Sequence, residues 1–173
     1  MDSAALRDQL ESHHTASFAW ALHCCDRDRQ EAEEVLQTVY LKIIEGKARY
    51  DGRSSLRTWL FAVIRRTAAD ARRRHILRRL RFLPLGHHDA AAATPLPDKL
   101  AHEAERNAAL AAALAELPPR QRQVLLLVFY HGHTVDEAAA ILRIGAGSAR
   151  THYARGKQRL RERLSRSEVL DDA

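Results

Sequence analysis

The sequence of 173 residues contains only two cysteines, Cys24 and Cys25, and they are adjacent. Neighbouring cysteines rarely bridge each other, so a disulfide framework is excluded as a source of stability. Three histidines nearby, His13, His14 and His23, suggest a metal site, but the spacing matches no standard zinc pattern. We therefore interpret both cysteines as small hydrophobic residues that end an apolar helix, and we expect no metal and no cofactor.

Long apolar runs are also missing. None approaches the roughly 18 residues of a membrane span, and the opening segment MDSAALRDQLESHH has no basic-then-apolar signal pattern. These absences predict no membrane insertion and a cytoplasmic location. Glycine is scarce, at 7 residues, and no segment of useful length alternates apolar and polar residues. Because alanine and leucine dominate, the sequence predicts an all-α fold.

Acidic residues are few in two parts of the chain. Residues 47–81 carry 12 basic and 2 acidic side chains, and residues 143–166 carry 8 basic and 1 acidic side chain. The other segments are net acidic. A single basic block is often only a solvated face, but two separate blocks on predicted helices favour a polyanion with two contact points. This distribution indicates a nucleic acid as partner.

The first basic block contains SSLRTWLFAVIRRTAADARRR, residues 54–74. At 100° per residue, its apolar positions form one stripe. The stripe consists of Leu56, Trp59, Leu60, Val63, Ile64, Thr67 and Ala71. Phe61 falls on the basic side between Arg57 and Arg65, so packing at the edge of the core and contact with a ligand both stay open for it. Trp59, on the stripe, is expected in the core, and Ser54 or Ser55 is expected to cap the helix.

Two further segments complete the organisation of the first half. EAEEVLQTVYLKIIEG is a strong helix with Gly46 as its C-terminal cap, and Tyr40 lies on its apolar side. Residues 83–99, LPLGHHDAAAATPLPDK, combine three prolines with a glycine and an alanine run, which is typical of a flexible linker. The sequence therefore predicts two small helical domains, 1–82 and 100–167, followed by a short tail, 168–173.

The second basic block follows a helix-turn-helix pattern. Thr134 and Glu137 form a capping box for a short helix over 135–142, RIGAG is a glycine-bearing turn, and Ser148 caps the next helix over 148–165. The N-terminal residues of that second helix would enter a DNA major groove. Gly156 inside it costs about 1 kcal/mol relative to alanine. An ordinary helical hairpin with a charged end remains the alternative for this segment alone.

Taken together, these segments resemble a known family. YDGRSSLRTWLFAVIRRTAADARRR resembles the promoter-melting helix of bacterial sigma factors, and EAEEVLQTVYLKI resembles their helix that docks on the polymerase beta-prime clamp. The segment from LAELPPRQRQ to RLRERL resembles their C-terminal helix-turn-helix domain. Two domains on a short linker are similar to the compact extracytoplasmic-function (ECF) subgroup. The matching segments occur in the family's order.

The resemblance implies a sigma factor that binds core RNA polymerase and promoter DNA, with a region 2-like and a region 4-like domain. It assigns recognition and melting of the −10 element to Ser54, Arg57, Thr58, Trp59, Phe61, Arg65, Arg66 and Arg73. It assigns recognition of the −35 element to Gly147, Ser148, Arg150, Thr151 and Arg155. It assigns core polymerase docking to Glu33, Glu34, Gln37 and Tyr40. For many members it also implies an anti-sigma factor as a partner.

Several residues depart from the family pattern, and three of them bear on DNA recognition or on the packing of the helix-turn-helix. Arg66 stands where asparagine often occurs, and this difference bears on the −10 base preference. Arg143 stands where the turn of the helix-turn-helix often has glycine, and Gly145 follows two residues later, so the turn is expected to be shifted. Ala149 replaces a bulkier aliphatic residue and should loosen the packing of the recognition helix.

Three other classes of function compete with a sigma factor. A stand-alone helix-turn-helix regulator would need a dimer interface or a sensor domain, and the first domain resembles neither. An enzyme acting on nucleic acid would need paired carboxylates, a P-loop or a nucleophile with its base, and no such pattern occurs. A helical scaffold or metal protein would leave the two basic blocks without a purpose. The sequence therefore predicts a non-enzymatic, DNA-binding initiation subunit.

Overall fold

The computed structural model describes residues 3–81 and 98–171, with side chains over 6–77 and 107–165. The described chain is helical and contains no strand, which confirms the predicted all-α fold. The helices are α1 (Ser3–Ser12), α2 (His14–Cys24), α3 (Arg29–Ile44), α4 (Leu56–Arg81), α5 (Asp98–Ala115), α6 (Pro119–Leu125), α7 (Val135–Leu142) and α8 (Ala146–Asp171), with a π-helical segment, Leu126–Tyr130, directly after α6.

The chain divides into two compact units. The first comprises Met1–Leu83 and Asp136–Gly145, and the second comprises Pro84–Val135 and Ala146–Ala173. Most of α7, which the predicted second domain includes, therefore groups with the first unit. The predicted linker, 83–99, lies almost entirely outside the described residues, and the predicted domain limits stay predictions.

The core of the first unit lies where α2, α3 and α4 pack on one another. Its centre is the pair of aromatic residues Trp20 and Phe61, both fully buried. Their rings stack with centroids 5.8 Å apart, and Trp20 Nε1 donates a hydrogen bond to the Phe61 carbonyl oxygen at 3.1 Å. A buried indole N–H needs such a partner. This bond ties α2 to α4 across the core.

The buried face of α4 differs from the predicted stripe. Its buried residues are Thr58, Leu60, Phe61, Ile64, Thr67 and Ala68. Trp59 and Val63, which the stripe placed in the core, are only half-buried. Since α4 packs against both α2 and α3, its buried face is turned toward Phe61 relative to the predicted stripe. Of the two readings left open for Phe61, the structure supports core packing.

Local signals set the ends of α3 and the start of α4. Asp28 Oδ1 accepts a hydrogen bond from the Glu31 backbone N–H at 2.9 Å, which caps α3. Gly46 follows α3 with a φ of 69°, so the predicted glycine cap is confirmed. Of the two predicted caps of α4, Ser55 performs the role, because its Oγ accepts from the Thr58 N–H at 3.1 Å.

In the second unit, α8 packs against α5 and α6. Leu117, Val124, Leu125 and Leu127 are buried there. Directly after α6, the chain changes to π-helical geometry at Leu126–Tyr130. The wider turn buries Leu126 and Leu127 side by side and leaves Phe129 and Tyr130 exposed.

The turn between α7 and α8 corrects two predictions. The predicted helix over 135–142 is confirmed as α7, but α8 begins at Ala146, so Ser148 lies inside its first turn and is not its cap. The turn is not shifted toward Gly145, because Arg143 itself adopts the left-handed conformation with a φ of 52°. The backbone N–H of Ile144 then donates to the Ala139 carbonyl at 3.0 Å, as in a glycine-capped helix end.

Candidate nucleic-acid interface

The loop that precedes α4 is held by its own side chains. Asp51 Oδ1 accepts a hydrogen bond from the Arg53 backbone N–H at 3.2 Å, and the Arg53 guanidinium lies 3.5 Å from the same carboxylate. Gly52 adopts a φ of 74° between them, and an added Cβ would meet no atom within 4 Å. Ser54 follows in a half-buried position. The loop therefore presents a defined polar and basic surface at the start of α4.

Two predicted −10 contacts lie in the interior. Phe61 is 0% exposed, and its aromatic face is covered by Trp20. Thr58 is 2% exposed; its hydroxyl donates to Glu137 Oε1 at 3.0 Å and lies 2.8 Å from Ser55 Oγ. Both side chains are buried in this structure, and their assignment to DNA contact stays a prediction.

The four arginines of α4 that are predicted to contact the −10 element fall into two groups. Arg57 and Arg65 are half-buried, and the Arg57 guanidinium lies 5.6 Å from the centre of the Phe61 ring. Arg66 and Arg73 are exposed, and they stand two turns apart on the same side of the helix, about 10.5 Å along its axis. Asp70 lies between them and pairs with Arg73 at 2.6 Å. The exposed pair forms a basic face along α4.

The first half of α8 carries the other candidate surface. All five predicted −35 residues are exposed there: Gly147, Ser148, Arg150, Thr151 and Arg155. Thr151 Oγ1 donates to the Gly147 carbonyl at 3.0 Å, so its hydroxyl is already engaged within the helix. Ala149 is fully buried, and the helix remains regular around this small residue. The structure thus leaves the start of α8 open to a ligand.

The predicted docking residues of α3 are accessible as well. Glu33, Glu34 and Gln37 are exposed, and Tyr40 is half-buried with its hydroxyl 3.0 Å from His14 Nδ1. Burial raises the pKa of Tyr40, so the phenol is neutral.

Sequence reasoning missed two residues near this face, Leu41 and Ile44, which are 58% and 65% exposed. Leu41 lies one helical turn after Gln37. The signal that could have found Leu41 was its position outside the apolar spacing set by Leu36, Val39 and Ile43.

The cysteines and histidines form no metal centre among the residues that the structure describes, where no cluster of three or more potential ligands occurs. Cys24 and Cys25 are free thiols. Burial raises the pKa of both, that of Cys25 to about 12, so neither is a thiolate at neutral pH. Within the same residues, no helix has the length and apolar character that a bilayer span requires.

Two segments of the chain match known protein families. Residues 10–78 match the family described as Sigma-70 region 2, and residues 107–160 match the family described as Sigma-70, region 4. The first match contains α3 and the basic face of α4, and the second contains the exposed start of α8. Each candidate surface therefore lies in a segment of its own family.

Relatives of known identity match along most of the chain. The ECF RNA polymerase sigma factor SigX of Bacillus subtilis (strain 168) is 32% identical over 151 residues, which cover 84% of this chain and 78% of SigX. The RNA polymerase sigma factor CarQ of Myxococcus xanthus is 30% identical over 162 residues, 94% of this chain and 91% of CarQ.

Solved structures share the fold. The sigma factor RpoE, in a co-crystal structure with the anti-sigma factor NepR from Bartonella quintana, has a TM-score of 0.67 at 21% identity, and the match covers 93% of this chain and 97% of RpoE. A structure of CnrH in complex with the cytosolic domain of CnrY has a TM-score of 0.61 at 19% identity. The match covers 99% of this chain and 90% of the matched chain. At these identities the likeness concerns the fold alone.

Proposed function

Because the chain belongs to the family of ECF RNA polymerase sigma factors, we propose that it binds core RNA polymerase and directs it to promoters by recognising the −10 and −35 elements. One observation carries the proposal: each of the two sigma-70 segments presents its own exposed basic helix. In this role the protein is a binding subunit in the cytoplasm and catalyses no reaction.

The −10 element is assigned to the first unit. Arg66 and Arg73 hold the phosphate backbone of the upstream duplex, since exposed arginines two turns apart can each reach a phosphate. Trp59 and the loop that ends at Ser54 receive a base that leaves the stack. Arg57 lies at the same end of α4, and Arg65 lies about two turns further along the helix. Extruding a base costs a few kcal/mol, which stacking and polar contacts to that base must offset.

The −35 element is assigned to the start of α8. A helix that enters the major groove reads bases with its N-terminal residues, and an arginine recognises guanine through two parallel hydrogen bonds. Arg150 is the exposed arginine nearest to this end and is assigned to base reading, with Thr151 beside it. The free N–H groups at Gly147 and Ser148 bind a phosphate, and Arg155 holds the backbone further along.

Core polymerase is assigned to the exposed face of α3. Glu33, Glu34 and Gln37 supply polar contacts, and Leu41 and Ile44 supply apolar area, which an interface core favours. Tyr40 is half-buried beside them, and its hydroxyl lies within hydrogen-bond distance of His14 Nδ1. The beta-prime clamp is the expected partner surface.

An anti-sigma factor is a further proposed partner. RpoE of Bartonella quintana shares the fold of this chain, and its solved structure is that of a complex with an anti-sigma factor. Such a partner would act by covering one of the surfaces described above.

Reconstitution with core RNA polymerase tests the proposed function. The purified chain is mixed with core enzyme and a library of promoter fragments, and run-off transcripts are sequenced. We expect transcripts that begin downstream of a shared pair of −10 and −35 elements and that are absent without the chain. Failure to form a complex with several core polymerases would overturn the proposal, and specific operator binding without polymerase would instead identify a stand-alone regulator.

A further inference from the structure

Tyr50 makes two contacts that join the loop before α4 to the helix itself. Its hydroxyl donates a hydrogen bond to the carbonyl oxygen of Ser54, four residues later. Its ring lies against the indole ring of Trp59, with centroids 5.5 Å apart and planes inclined by 56°. Tyr50 itself is half-buried. One side chain thus holds the end of the loop and also supports an aromatic residue on the first turn of α4.

The segment closed by Tyr50 is short and internally braced. Asp51 binds the Arg53 backbone N–H, Gly52 provides the left-handed turn, and Ser55 caps α4 through the Thr58 N–H. These bonds are local and leave the Arg53 side chain 89% exposed. Among them, the Tyr50 hydroxyl closes the whole segment from 50 to 54, so its loss frees the Ser54 carbonyl and, with it, the loop end.

We propose that Tyr50 is a positioning residue for base capture, which keeps loop 51–54 and Trp59 in the arrangement that receives an unstacked DNA base. This inference rests on the proposed function. Tyr50 acts through Ser54 and Trp59 and need not touch the DNA. A preformed loop avoids the loss of conformational freedom that a mobile loop would suffer on binding, and this raises affinity without adding a contact.

The test replaces Tyr50 by phenylalanine, which keeps the ring on Trp59 and removes only the hydroxyl. Full-length variants are assembled with core RNA polymerase, and binding is measured to four single-stranded −10 oligonucleotides that differ in the unstacked base. Because one neutral hydrogen bond is lost, we expect Tyr50→Phe to bind the preferred oligonucleotide about three- to tenfold more weakly. We also expect a smaller ratio between preferred and other bases, and unchanged binding to a −35 duplex.

Ser12→Ala is the matched control. Ser12 Oγ donates to the Gln9 carbonyl at 2.8 Å, so this variant loses a bond of the same kind elsewhere in the first unit. It should keep both the affinity and the base ratios. The ratio of affinities for the preferred and the other bases separates a positioning role from a purely structural one. Loss of a purely structural bond would lower the melting temperature and leave this ratio unchanged.

The outcomes distinguish the two proposals. If wild-type holoenzyme prefers one base and Tyr50→Phe preserves that ratio, the positioning role is overturned while the proposed function stands. If wild-type holoenzyme binds none of the oligonucleotides, the proposed function fails and the positioning role fails with it. A reduced ratio in Tyr50→Phe, together with wild-type behaviour of Ser12→Ala, supports the positioning role.

Discussion

Gly156 of α8 lies so close to Leu125 of α6 that a Cβ atom at position 156 would stand 3.2 Å from Leu125 Cδ1. The same atom would stand 3.2 Å from Gln121 Cβ. Both distances are shorter than ordinary van der Waals contact. The glycine, read from sequence as a weak point in a helix, is therefore what allows two helices of the second unit to cross closely.

We predict that Gly156→Ala lowers stability despite the better helix propensity of alanine. The propensity gain is about 1 kcal/mol, and inserting a methyl group into a filled contact costs about 1–3 kcal/mol. The expected net change is a loss of about 1 kcal/mol in urea unfolding. Ala154→Gly, on the exposed side of the same helix, is the control and should lose about 1 kcal/mol through propensity alone. An increase in stability for Gly156→Ala would contradict the close crossing.

Arg143 offers a stabilising change. A non-glycine residue in the left-handed conformation is strained by about 1–2 kcal/mol, and glycine adopts it freely but loses more entropy on folding. Arg143→Gly should therefore raise the free energy of unfolding by about 0.5–1 kcal/mol. Arg143→Ala, which keeps the Cβ, should bring no gain. Thermal unfolding of the three proteins measures this, and equal melting temperatures for the two variants would show that strain at this turn is negligible.

Phe61→Leu separates a core role from a DNA role. Leucine keeps an apolar side chain but loses the stacking on Trp20, so the variant should lose about 1–3 kcal/mol of stability. At temperatures where it is still folded, its holoenzyme should open promoters as the wild type does. Trp59→Leu is the comparison, because half-buried Trp59 is proposed to face the extruded base and should impair opening. Normal stability with poor opening for Phe61→Leu would reverse this assignment.

Leu41→Ser tests the docking face of α3. Because Leu41 is 58% exposed, the change should alter stability by less than about 0.5 kcal/mol. It should weaken binding to core RNA polymerase by about tenfold, since an apolar contact at an interface centre is worth more than 1 kcal/mol. Ile76→Ser, which changes a 51% exposed residue of α4, is the matched control. If both variants bind core enzyme equally well, Leu41 lies outside the interface.

Arg150→Ala should relax recognition of the −35 element at one base pair, with a loss of roughly 1–3 kcal/mol in discrimination. Arg155→Ala should instead weaken binding to all sequences alike and reduce the salt dependence by about one phosphate contact. Competition between −35 duplexes that differ at single positions measures both effects. A uniform loss for Arg150→Ala would show that it contacts only backbone.

Much of this protein could be predicted from local patterns. The helical fold, the position of α7, the glycine cap at Gly46 and a serine cap for α4 were all predicted correctly. These features depend on residues within a few positions of one another, where periodicity and capping chemistry act. The exposure of the five residues on α8 follows from the same reasoning.

Other features were decided by helices that are distant in sequence. Helical spacing alone assigned Phe61 to the basic side, but Trp20 on α2 buries it. Helix propensity alone predicts that Gly156 destabilises α8, but the absence of a side chain at this position allows α6 to pack closely against it. The exposure of Leu41 depends on where α2 and α4 cover α3 and where they do not.

The sequence by itself therefore determined the helical class, the caps at Gly46 and Ser55 and the two basic segments, because the interactions that specify them are short in range. Only the tertiary structure decided which side chains are buried, at which glycine two helices cross closely and which surface stays open. Those properties depend on how neighbouring helices fill space around each residue, and no local pattern encodes that packing.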